Sequence, residues 1–473
     1  MTTHPGLAAA EEKMRRAGLS ASAIAAFKGN FELLVSGAQT LVASDELEPA
    51  RDVPELGELP EPDAAGRAAL DRLALIKLNG GLATSMGLRH AKSLVPVRDG
   101  RSFLDLIVAQ TLALRACHGA RLPLLLMDSD NTHAEALQAL ARTPQIASDV
   151  PPDFVQHRAP KIGAEDLLPV SWPADSALEW CPPGHGDVYP ALRGSGALAT
   201  LLEHGYQYAM ISNADNLGAV VEPRILAFMA RERIPFLMEA VLGTEADRKG
   251  GHLARRRRDG QLVLRETAQT PPEDLDSFTD FRRWRYYNTN SLWVDLRVLS
   301  QTLDEHGGIL PLPLIVNRKT VDSRDPSSPK VLQLETAMGA AVEVFPGARV
   351  LCVPRTRFAP VKTTDDLIVV RSDAYALDEQ WRLLPATRPL PVVDLDPDHY
   401  KLLDEFERHF PAGAPSLRGA EHLRVHGPVT FGAGVRVRGR VVLDNAGTEA
   451  VRLADGTELQ DCDRRWPEAP PAR

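Results

Sequence analysis

The chain has 473 residues and a formal net charge of −9, because 54 Lys and Arg oppose 63 Asp and Glu. This acidic balance, with 44% hydrophobic and 25% charged residues, is not typical of proteins that bind nucleic acids or anionic membranes. No apolar run approaches the roughly 18 residues of a spanning helix, and the first residues lack a secretory pattern. The four cysteines have no CxxC spacing, which favours reduced thiols. We expect a cytoplasmic protein with no nucleic-acid or membrane partner and an oxygen-bound metal, if any.

The N-terminal part of the sequence predicts helices followed by a sheet. Residues 1–60 are rich in alanine, and Phe27 and Phe31 share one helical face, which predicts a helical N-terminal segment. Short apolar runs then alternate with helical patterns; these runs cover 73–78, 122–127, 208–212 and 236–242. Such alternation predicts an α/β fold with an open sheet, which we assign to a catalytic domain over 61–385.

Local signals predict particular helix ends and turns. Ser102 is followed three residues later by Asp105, a variant of the capping box, and Gly119 lies where a helix would end. The pair Asp259-Gly260 predicts a two-residue hairpin turn.

The C-terminal part has a different pattern. A Pro-rich linker covers 383–397, and beyond it Leu423, Val429, Val435 and Val441 recur every six residues with glycines between them. This weak repeat predicts a short β-helix or a small all-β cap. We assign 386–465 to the linker and this domain, and predict a disordered tail over 466–473.

A glycine-rich loop follows the first predicted strand. Gly80 and Gly81 lie where backbone amides can approach phosphate oxygens, upstream of Lys92. The loop is neither a P-loop, since no Gly stands immediately before Lys92 as the GxxxxGK[ST] pattern requires, nor GxGxxG, since its glycines are adjacent. ATP hydrolysis and hydride transfer are therefore disfavoured. A phosphate-binding loop and a tight turn with a surface lysine both remain open.

Two further segments place polar groups where ligands bind. His185 stands between Gly184 and Gly186 in an irregular segment, which favours a ligand contact over core packing. Asp215 follows the strand at 208–212, and the carboxyl ends of strands face the ligand crevice in open α/β sheets. A single Asp there suits Mg²⁺ that shares substrate phosphates, although a turn-forming Asp is the alternative.

Three later segments are polar where a strand should be apolar. Asn288 and Asn290 share one strand face by the period of two, and together with Glu266 they can bind sugar hydroxyls. Lys362 is a second candidate for neutralising phosphate. A turn or cap role is an equal alternative for each.

Together these segments resemble the eukaryotic-type UTP:glucose-1-phosphate uridylyltransferase family, over about residues 73–445. The motifs, in this order, are Leu78-Asn-Gly-Gly-Leu-x-Thr-x-Met-Gly, Lys92-Ser, Phe103-Leu-Asp-Leu, Cys181-Pro-Pro-Gly-His-Gly-Asp, Asn213-x-Asp-Asn-Leu-Gly, Asn288-Thr-Asn, Gln333-Leu-Glu-Thr-Ala and Val361-Lys-Thr-Thr. The resemblance implies an open mixed sheet of the Rossmann-like nucleotide-diphospho-sugar transferase type with a C-terminal β-helix. It also implies synthesis of UDP-glucose and pyrophosphate from UTP and glucose 1-phosphate with Mg²⁺.

The resemblance assigns roles residue by residue. Catalytic roles fall to Lys92, Lys362 and Asp215, with Asp215 also the Mg²⁺ ligand. The nucleotide would be bound by Leu78, Asn79, Gly80, Gly81, Lys92, Gln156, Gly184, Asn213, Asp215 and Lys362. The sugar phosphate would be bound by His185, Asn213, Glu266, Asn288 and Asn290.

The chemistry of this reaction agrees with those residue types. A sugar phosphate is largely ionised at pH 7, its second pKa being roughly 6, so attack on the α-phosphorus of UTP needs no general base. The obstacle is repulsion between anions, which Mg²⁺, lysines and positioning relieve. Direct displacement through a ternary complex, without a covalent nucleotidyl-enzyme, is expected.

Two departures from the family pattern bear on the alternatives. The family usually has Gly where this chain has Ala83, and Gly-Pro where it has His90-Ala91. The alternatives are a related pyrophosphorylase for another sugar 1-phosphate and an inactive nucleotide-sugar-binding homologue. A homo-oligomer formed through the C-terminal domain is a further expectation.

Overall fold

The computed structural model describes residues 4–37, 41–83, 86–88 and 90–467. Its helices are α1 (Pro5–Arg16), α2 (Ala21–Val35), α3 (Ala64–Ala68), α4 (Phe103–His118), α5 (His133–Leu140), α6 (Val188–Gly194), α7 (Ala197–Glu203), α8 (Pro223–Glu232), α9 (Leu275–Phe278), α10 (Leu296–Glu305), α11 (Thr364–Arg371), α12 (Pro397–Tyr400) and α13 (Leu403–His409).

The strands up to the middle of the chain are β1 (Leu47–Pro49), β2 (Leu73–Leu78), β3 (Pro96–Arg98), β4 (Arg101–Ser102), β5 (Leu124–Asp128), β6 (Asp153–Val155), β7 (Ala159–Pro160), β8 (Ile162–Gly163), β9 (Trp180–Cys181), β10 (Tyr208–Asn213), β11 (Phe236–Leu242), β12 (His252–Arg256) and β13 (Leu262–Arg265). The later strands are β14 (Tyr286–Asp295), β15 (Leu314–Thr320), β16 (Lys330–Thr336), β17 (Arg349–Cys352), β18 (Tyr375–Leu377), β19 (Leu383–Pro385), β20 (Val392–Leu395), β21 (Ser416–His426), β22 (Val429–Thr430), β23 (Arg436–Asn445), β24 (Val451–Arg452) and β25 (Glu458–Trp466).

A ten-stranded mixed sheet forms the centre of the molecule. Strands β6, β5, β2 and β10 pair in parallel, whereas β14 runs antiparallel between β10 and β11. Strand β17 pairs in parallel with β11. Strand β12 pairs antiparallel with both β1 and β13. The prediction of an open mixed α/β sheet is confirmed. Parallel pairing brings the carboxyl ends of β5, β2 and β10 to one edge.

The predicted helix ends are confirmed, whereas the predicted turn is not. The Ser102 hydroxyl accepts a hydrogen bond from the Asp105 amide and the Asp105 carboxylate accepts one from the Ser102 amide, while Gly119 ends α4 with φ +63°. Strands β12 and β13 form a hairpin, but the predicted two-residue turn is wrong. The Arg256 amide donates to the Gln261 carbonyl, so four residues, 257–260, form the loop, with Gly260 at φ +69°. The two capping-box bonds at Ser102 and Asp105 satisfy amides at the start of α4 that have no partner within the helix.

The N-terminal helices pack against the strands beside the central sheet. Phe27 and Phe31 of α2 are buried in a cluster with residues of α1, β7, β8, β9, β15 and β16. We call α1 and α2 together the N-terminal hairpin. It therefore supports the segment that runs from β9 into Pro182 and His185.

The C-terminal strands pair in parallel rather than as hairpins. Strands β20, β21, β23 and β25 form one sheet, and β22 pairs with β24. All four hexad residues are fully buried. The region predicted as a linker contains β19 and β20, and β20 pairs with β21. Trp466 ends β25, and the tail from 468 onward lies outside the described residues.

Within the described ranges, no helix is both long enough and apolar enough to cross a membrane.

Candidate active site

The loops that follow β2 and β10 leave the sheet side by side. Leu78 lies opposite both Asn213 and Met127 in the parallel register. The Asn79 amide donates to the Met127 carbonyl at 2.7 Å, and the Ala214 amide donates to the Leu78 carbonyl at 3.1 Å. The sheet ladder therefore continues one residue beyond the strands and fixes where both loops begin.

The glycine loop is closed around the side chain of Gln156. A Cβ atom on Gly80 would lie 2.7 Å from the Gln156 amide group, so a larger residue here would displace that side chain. The Ser129 hydroxyl donates to the Gly80 carbonyl at 3.0 Å, and the Lys92 amide donates to the Gly81 carbonyl at 3.1 Å. The loop and Lys92 are thus held together by the backbone.

Both departures from the family pattern fit into this loop. Ala83 is fully buried, and its amide donates to the carbonyl of His90 at 3.2 Å. Leu82 and Ala91 form an antiparallel bridge, and Glu135 of α5 contacts the His90 ring at 2.8 Å and accepts from the Ala91 amide at 3.3 Å. Positions 84, 85 and 89 lie outside the described residues.

A buried carboxyl group lies beneath the loop. The Asn79 side chain donates to Asp128 Oδ1 at 2.6 Å, and burial raises the pKa of Asp128 to about 7. Asp128, His133 and Asp153 each place one potential ligand atom within 4.8 Å of the others, so the described residues include a group able to hold a metal ion. These three residues form no metal-binding motif in the sequence.

Lys92 and Asp215 form an ion pair across the mouth of the loop. Lys92 Nζ lies 2.7 Å from Asp215 Oδ2, and each side chain is 18% exposed. Asp215 Oδ1 is buried without a hydrogen-bond partner among the described residues. A buried carboxylate oxygen with free acceptor capacity is suited to a divalent cation, so this residue fits the predicted Mg²⁺ ligand.

His185 is held as a neutral hydrogen-bond donor. The Met338 amide donates to His185 Nδ1 at 3.0 Å, and burial lowers the pKa of the imidazole to about 4. At neutral pH its proton therefore lies on Nε2. Gly184 has φ +83°, and a Cβ there would lie 2.4 Å from the Thr336 carbonyl, so glycine is required for this close approach to β16.

A β-bulge brings the two asparagines together. Glu239 pairs with Ser291 and Ala240 pairs with Asn288, so β14 carries extra residues at Thr289 and Asn290. Asn290 adopts φ +55°, and the Asn288 side-chain amide donates to Asn290 Oδ1 at 2.8 Å. The simple period of two is interrupted, yet both side chains face the same cavity.

The segment that carries Lys362 is attached to the turn after β10. The Val361 amide donates to the Asp215 carbonyl at 3.1 Å, and Asn216 Oδ1 accepts from the amides of Gly218 and Ala359. Lys362 itself is exposed. Burial raises the pKa of Glu266, and the positive charge of Lys362 opposes this shift.

Two adjacent cavities contain all of the sequence-predicted site residues. The cavity of about 370 Å³, here the loop cavity, is lined by Leu78, Asn79, Gly80, Gly81, Lys92, Gln156, Gly184, His185, Asn213 and Asp215. The cavity of about 660 Å³, here the sheet cavity, is lined by His185, Asn213, Glu266, Asn288, Asn290 and Lys362 among others. His185 and Asn213 are shared by both. Lys92 and Lys362 line different cavities, so Lys362 lies apart from the other residues predicted to bind the nucleotide.

A buried ion pair joins β11 to the loop after β17, and a buried lysine lies in β2. The Arg357 guanidinium donates to both carboxylate oxygens of Glu239 at 2.6 Å. Lys77 donates to the Ser212 hydroxyl and to the Ala219 carbonyl, and burial lowers the pKa of Lys77 to about 7. Sequence reasoning missed these residues, although Lys77 inside an apolar strand was a visible signal.

The open mixed sheet and its loop cavity define an α/β nucleotide-binding enzyme, and comparison with known proteins gives the family. Residues 24–438 match the family model described as UTP–glucose-1-phosphate uridylyltransferase, so the chain belongs to this family of nucleotidyltransferases.

Named relatives are similar over most of their lengths, and a solved structure over its whole length. The UTP–glucose-1-phosphate uridylyltransferase of Hordeum vulgare is 39% identical over 413 residues, 86% of this chain and 85% of that protein. The enzyme of the same name from Saccharomyces cerevisiae is 39% identical over 83% of this chain and 78% of its own. A mutant UDP-glucose pyrophosphorylase from Leishmania major, solved in complex with UDP-glucose, is 43% identical with a TM-score of 0.92, covering 98% of this chain and 100% of that one.

Proposed function

We propose that this chain transfers the uridylyl group of UTP to glucose 1-phosphate, giving UDP-glucose and pyrophosphate. Family membership and the UDP-glucose complex of the Leishmania major relative support the proposal. The observation that carries it is the pair of cavities that meet at His185 and Asn213. One has a glycine loop suited to phosphates, and the other has amides and a carboxyl group suited to sugar hydroxyls.

In this proposal UTP occupies the loop cavity. Gln156 and Gly184 would contact the uracil end, while residues 78–81 and Lys92 would contact the ribose and phosphates. Gln156 packs closely on Gly80 and offers an amide that can donate and accept. Glucose 1-phosphate would extend from His185 and Asn213 into the sheet cavity, towards Glu266, Asn288 and Asn290.

The reaction we propose is a direct in-line displacement. A phosphate oxygen of glucose 1-phosphate attacks the α-phosphorus of UTP, and the bond from that phosphorus to the oxygen bridging the β-phosphate breaks. Pyrophosphate leaves with the electron pair. Neutral His185 can donate from Nε2 to a phosphate oxygen without taking part in proton transfer, because its pKa of about 4 lies below the working pH.

The lysines would neutralise charge from two directions. Lys92 reaches the loop cavity already paired with Asp215, so a bound phosphate would compete with or extend that ion pair. Lys362 would reach the sugar phosphate from the sheet cavity. Positively charged groups in fixed positions stabilise the charge that develops in the transition state without further reorganisation.

We also propose Mg²⁺ as the metal and Asp215 as its protein ligand. The unpartnered buried oxygen of Asp215 supports this assignment. When bound, the ion would neutralise charge on the triphosphate and on leaving pyrophosphate. Asp215 itself orients Lys92 and accepts no other hydrogen bond on its side chain within the described ranges.

We also propose a C-terminal β-helix, domain boundaries, an assembly mode and a cellular location. Parallel pairing and the buried hexad residues support a short C-terminal β-helix. The domain boundaries at 60, 385 and 465 and assembly through the C-terminal strands rest on the sequence pattern. A cytoplasmic location is supported by the four cysteines, which are all free thiols.

Pyrophosphate release from the purified protein tests the proposal. UTP with glucose 1-phosphate should give the highest kcat/KM when each nucleoside triphosphate is assayed against each sugar 1-phosphate. Varying both substrates should give intersecting initial-velocity lines, as a ternary complex requires. Parallel lines would indicate a ping-pong route and contradict direct displacement. A preference for another sugar would favour the related pyrophosphorylase, and no release with any pair would favour the inactive homologue.

A further inference from the structure

One buried carboxylate joins two walls of the loop cavity. Asp187 is 2% exposed, and its Oδ2 accepts a hydrogen bond from the His157 amide at 2.7 Å. Its Oδ1 lies 2.8 Å from His157 Nδ1. His157 directly follows Gln156, and Asp187 is two residues after His185. The positions of Gln156 and His185 are therefore linked through a single side chain.

The same histidine reaches the N-terminal hairpin. His157 Nε2 lies 3.0 Å from the Ser22 hydroxyl and 3.3 Å from that of Ser20. With Nδ1 facing Asp187, the ring turns Nε2 towards Ser22 and shares a hydrogen bond with its hydroxyl. Ser22 lies in the first turn of α2. The chain of hydrogen bonds thus runs from α2 through His157 and Asp187 to both walls of the loop cavity.

We propose that His157 and Asp187 are positioning residues, through which the N-terminal hairpin sets the place of Gln156 relative to His185 for nucleotide binding. The inference rests on the proposed function of the loop cavity. Gln156 itself is held by its backbone amide, which donates to the Asp128 carbonyl at 2.7 Å, and by its contact with Gly80. The His157 contacts are the next anchor along the chain.

The hydrogen bonds from Ser22 to His157 and from His157 to Asp187 also resemble those of a Ser-His-Asp hydrolase triad. Here, however, a Cβ on Gly194 would lie only 2.1 Å from Ser22 Oγ. The hydroxyl is therefore packed against α6 instead of facing an open cleft. This packing favours the positioning role over nucleophilic catalysis.

The first experiment compares Ser22→Ala with Ser36→Ala. Ser36 lies at the other end of α2 and donates to the Leu33 carbonyl, so it is a matched control without contact to His157. Calorimetry should show that Ser22→Ala raises the Kd for UTP about three- to tenfold, as expected for one lost hydrogen bond. The KM for glucose 1-phosphate and the melting temperature should match those of Ser36→Ala.

Two variants of His157 separate its contact with Asp187 from its contact with Ser22. His157→Asn keeps a donor where Nδ1 stands but has no atom at Nε2, so it should weaken UTP binding as Ser22→Ala does, and the double variant should be no worse than either. His157→Ala should weaken it further. In a Gln156→Ala background, Ser22→Ala should no longer change the Kd for UTP.

Three outcomes would overturn the inference. One is a Kd for UTP within twofold of the Ser36→Ala value in both Ser22→Ala and His157→Asn. Another is an equal loss for both substrates, which a general structural defect would produce. The third is additive loss in the Gln156→Ala background. Wild-type protein that failed to bind UTP would instead overturn the proposed function of the cavity, and this inference with it.

Discussion

Lys92 and Asp215 are 123 residues apart in the chain, yet Lys92 Nζ lies 2.7 Å from Asp215 Oδ2. Lys92 ends the glycine loop that follows β2, whereas Asp215 follows β10. The ion pair therefore joins the two loops that leave the carboxyl ends of these parallel strands. Both side chains remain 18% exposed, which leaves them accessible to a substrate phosphate. Because both charges are largely removed from water, the desolvation penalty offsets much of their attraction, and the pair is better explained as preparation for ligand binding.

We expect Asp215→Ala to lower kcat by on the order of 10² or more while leaving the fold intact. The change removes the oxygen assigned to Mg²⁺ and frees Lys92 from its partner. Turnover titrated with Mg²⁺ and a thermal melt measure the two effects separately. Asp404→Ala, an exposed carboxylate on α13, is the control and should behave as wild type. Wild-type rates for Asp215→Ala would remove the metal assignment.

Lys92→Ala and Lys362→Ala should each reduce kcat/KM by about 10², or about 2.7 kcal/mol of transition-state stabilisation. Because the lysines line different cavities, the first should mainly affect the dependence on UTP and the second the dependence on glucose 1-phosphate. Steady-state kinetics with either substrate varied would separate them. The exposed Lys401 provides the control substitution. A loss below roughly threefold at both sites, well under the usual range for such groups, would indicate surface lysines.

Asp128 should make stability depend on pH. Burial raises its pKa from 3.8 to about 7, so the folded protein retains a proton that the unfolded chain releases near pH 4. The contribution of Asp128 to the free energy of unfolding therefore falls as the pH rises from about 4 to about 7, and is constant above about pH 7. Asp128→Asn mimics the protonated acid and keeps an oxygen for Asn79. At pH values from 5 to 8, the free energy of unfolding of Asp128→Asn should exceed that of wild type by on the order of 1–4 kcal/mol, with the larger value at the higher pH.

Melts at several pH values would test this prediction, with Asp404→Asn as the matched control at an exposed site. Parallel profiles for wild type and Asp128→Asn would show that the carboxyl is already ionised at pH 5.

Removing residues 416–473 should spare the chemical groups but weaken the fold. None of the proposed site residues lies beyond Lys362, yet Asp373 accepts from the amides of Leu417 and Arg418. The buried core around α11 continues into β21 and β23. We expect the melting temperature to fall by at least about 5 °C, with turnover per folded molecule near wild type in the cold.

Light-scattering mass would show whether assembly changes with this truncation. A folded truncation of unchanged mass that had lost turnover would place part of the active site in the C-terminal strands.

Much of the candidate site could be predicted from the sequence because its chemistry is local. Gly80 and Gly184 mark backbone that approaches another group closely, whereas a Cβ on Gly81 would meet nothing within 4 Å. Strands β2 and β11 begin and end where their apolar runs do. The capping box at Ser102 and Asp105 likewise depends on residues only three apart.

The sequence by itself thus determined the α/β class, the family resemblance and the set of residues that could bind a nucleotide and a sugar phosphate. Only the tertiary structure decided that Lys92 and Lys362 face different cavities, that a bulge turns Asn290, and that Ser22 reaches His157. Those relationships depend on strand register and on packing between distant segments, where burial also shifts the pKa of His185 and Asp128. A pattern of residue types specifies local backbone and polarity, but distances across the chain exist only once the sheet has formed.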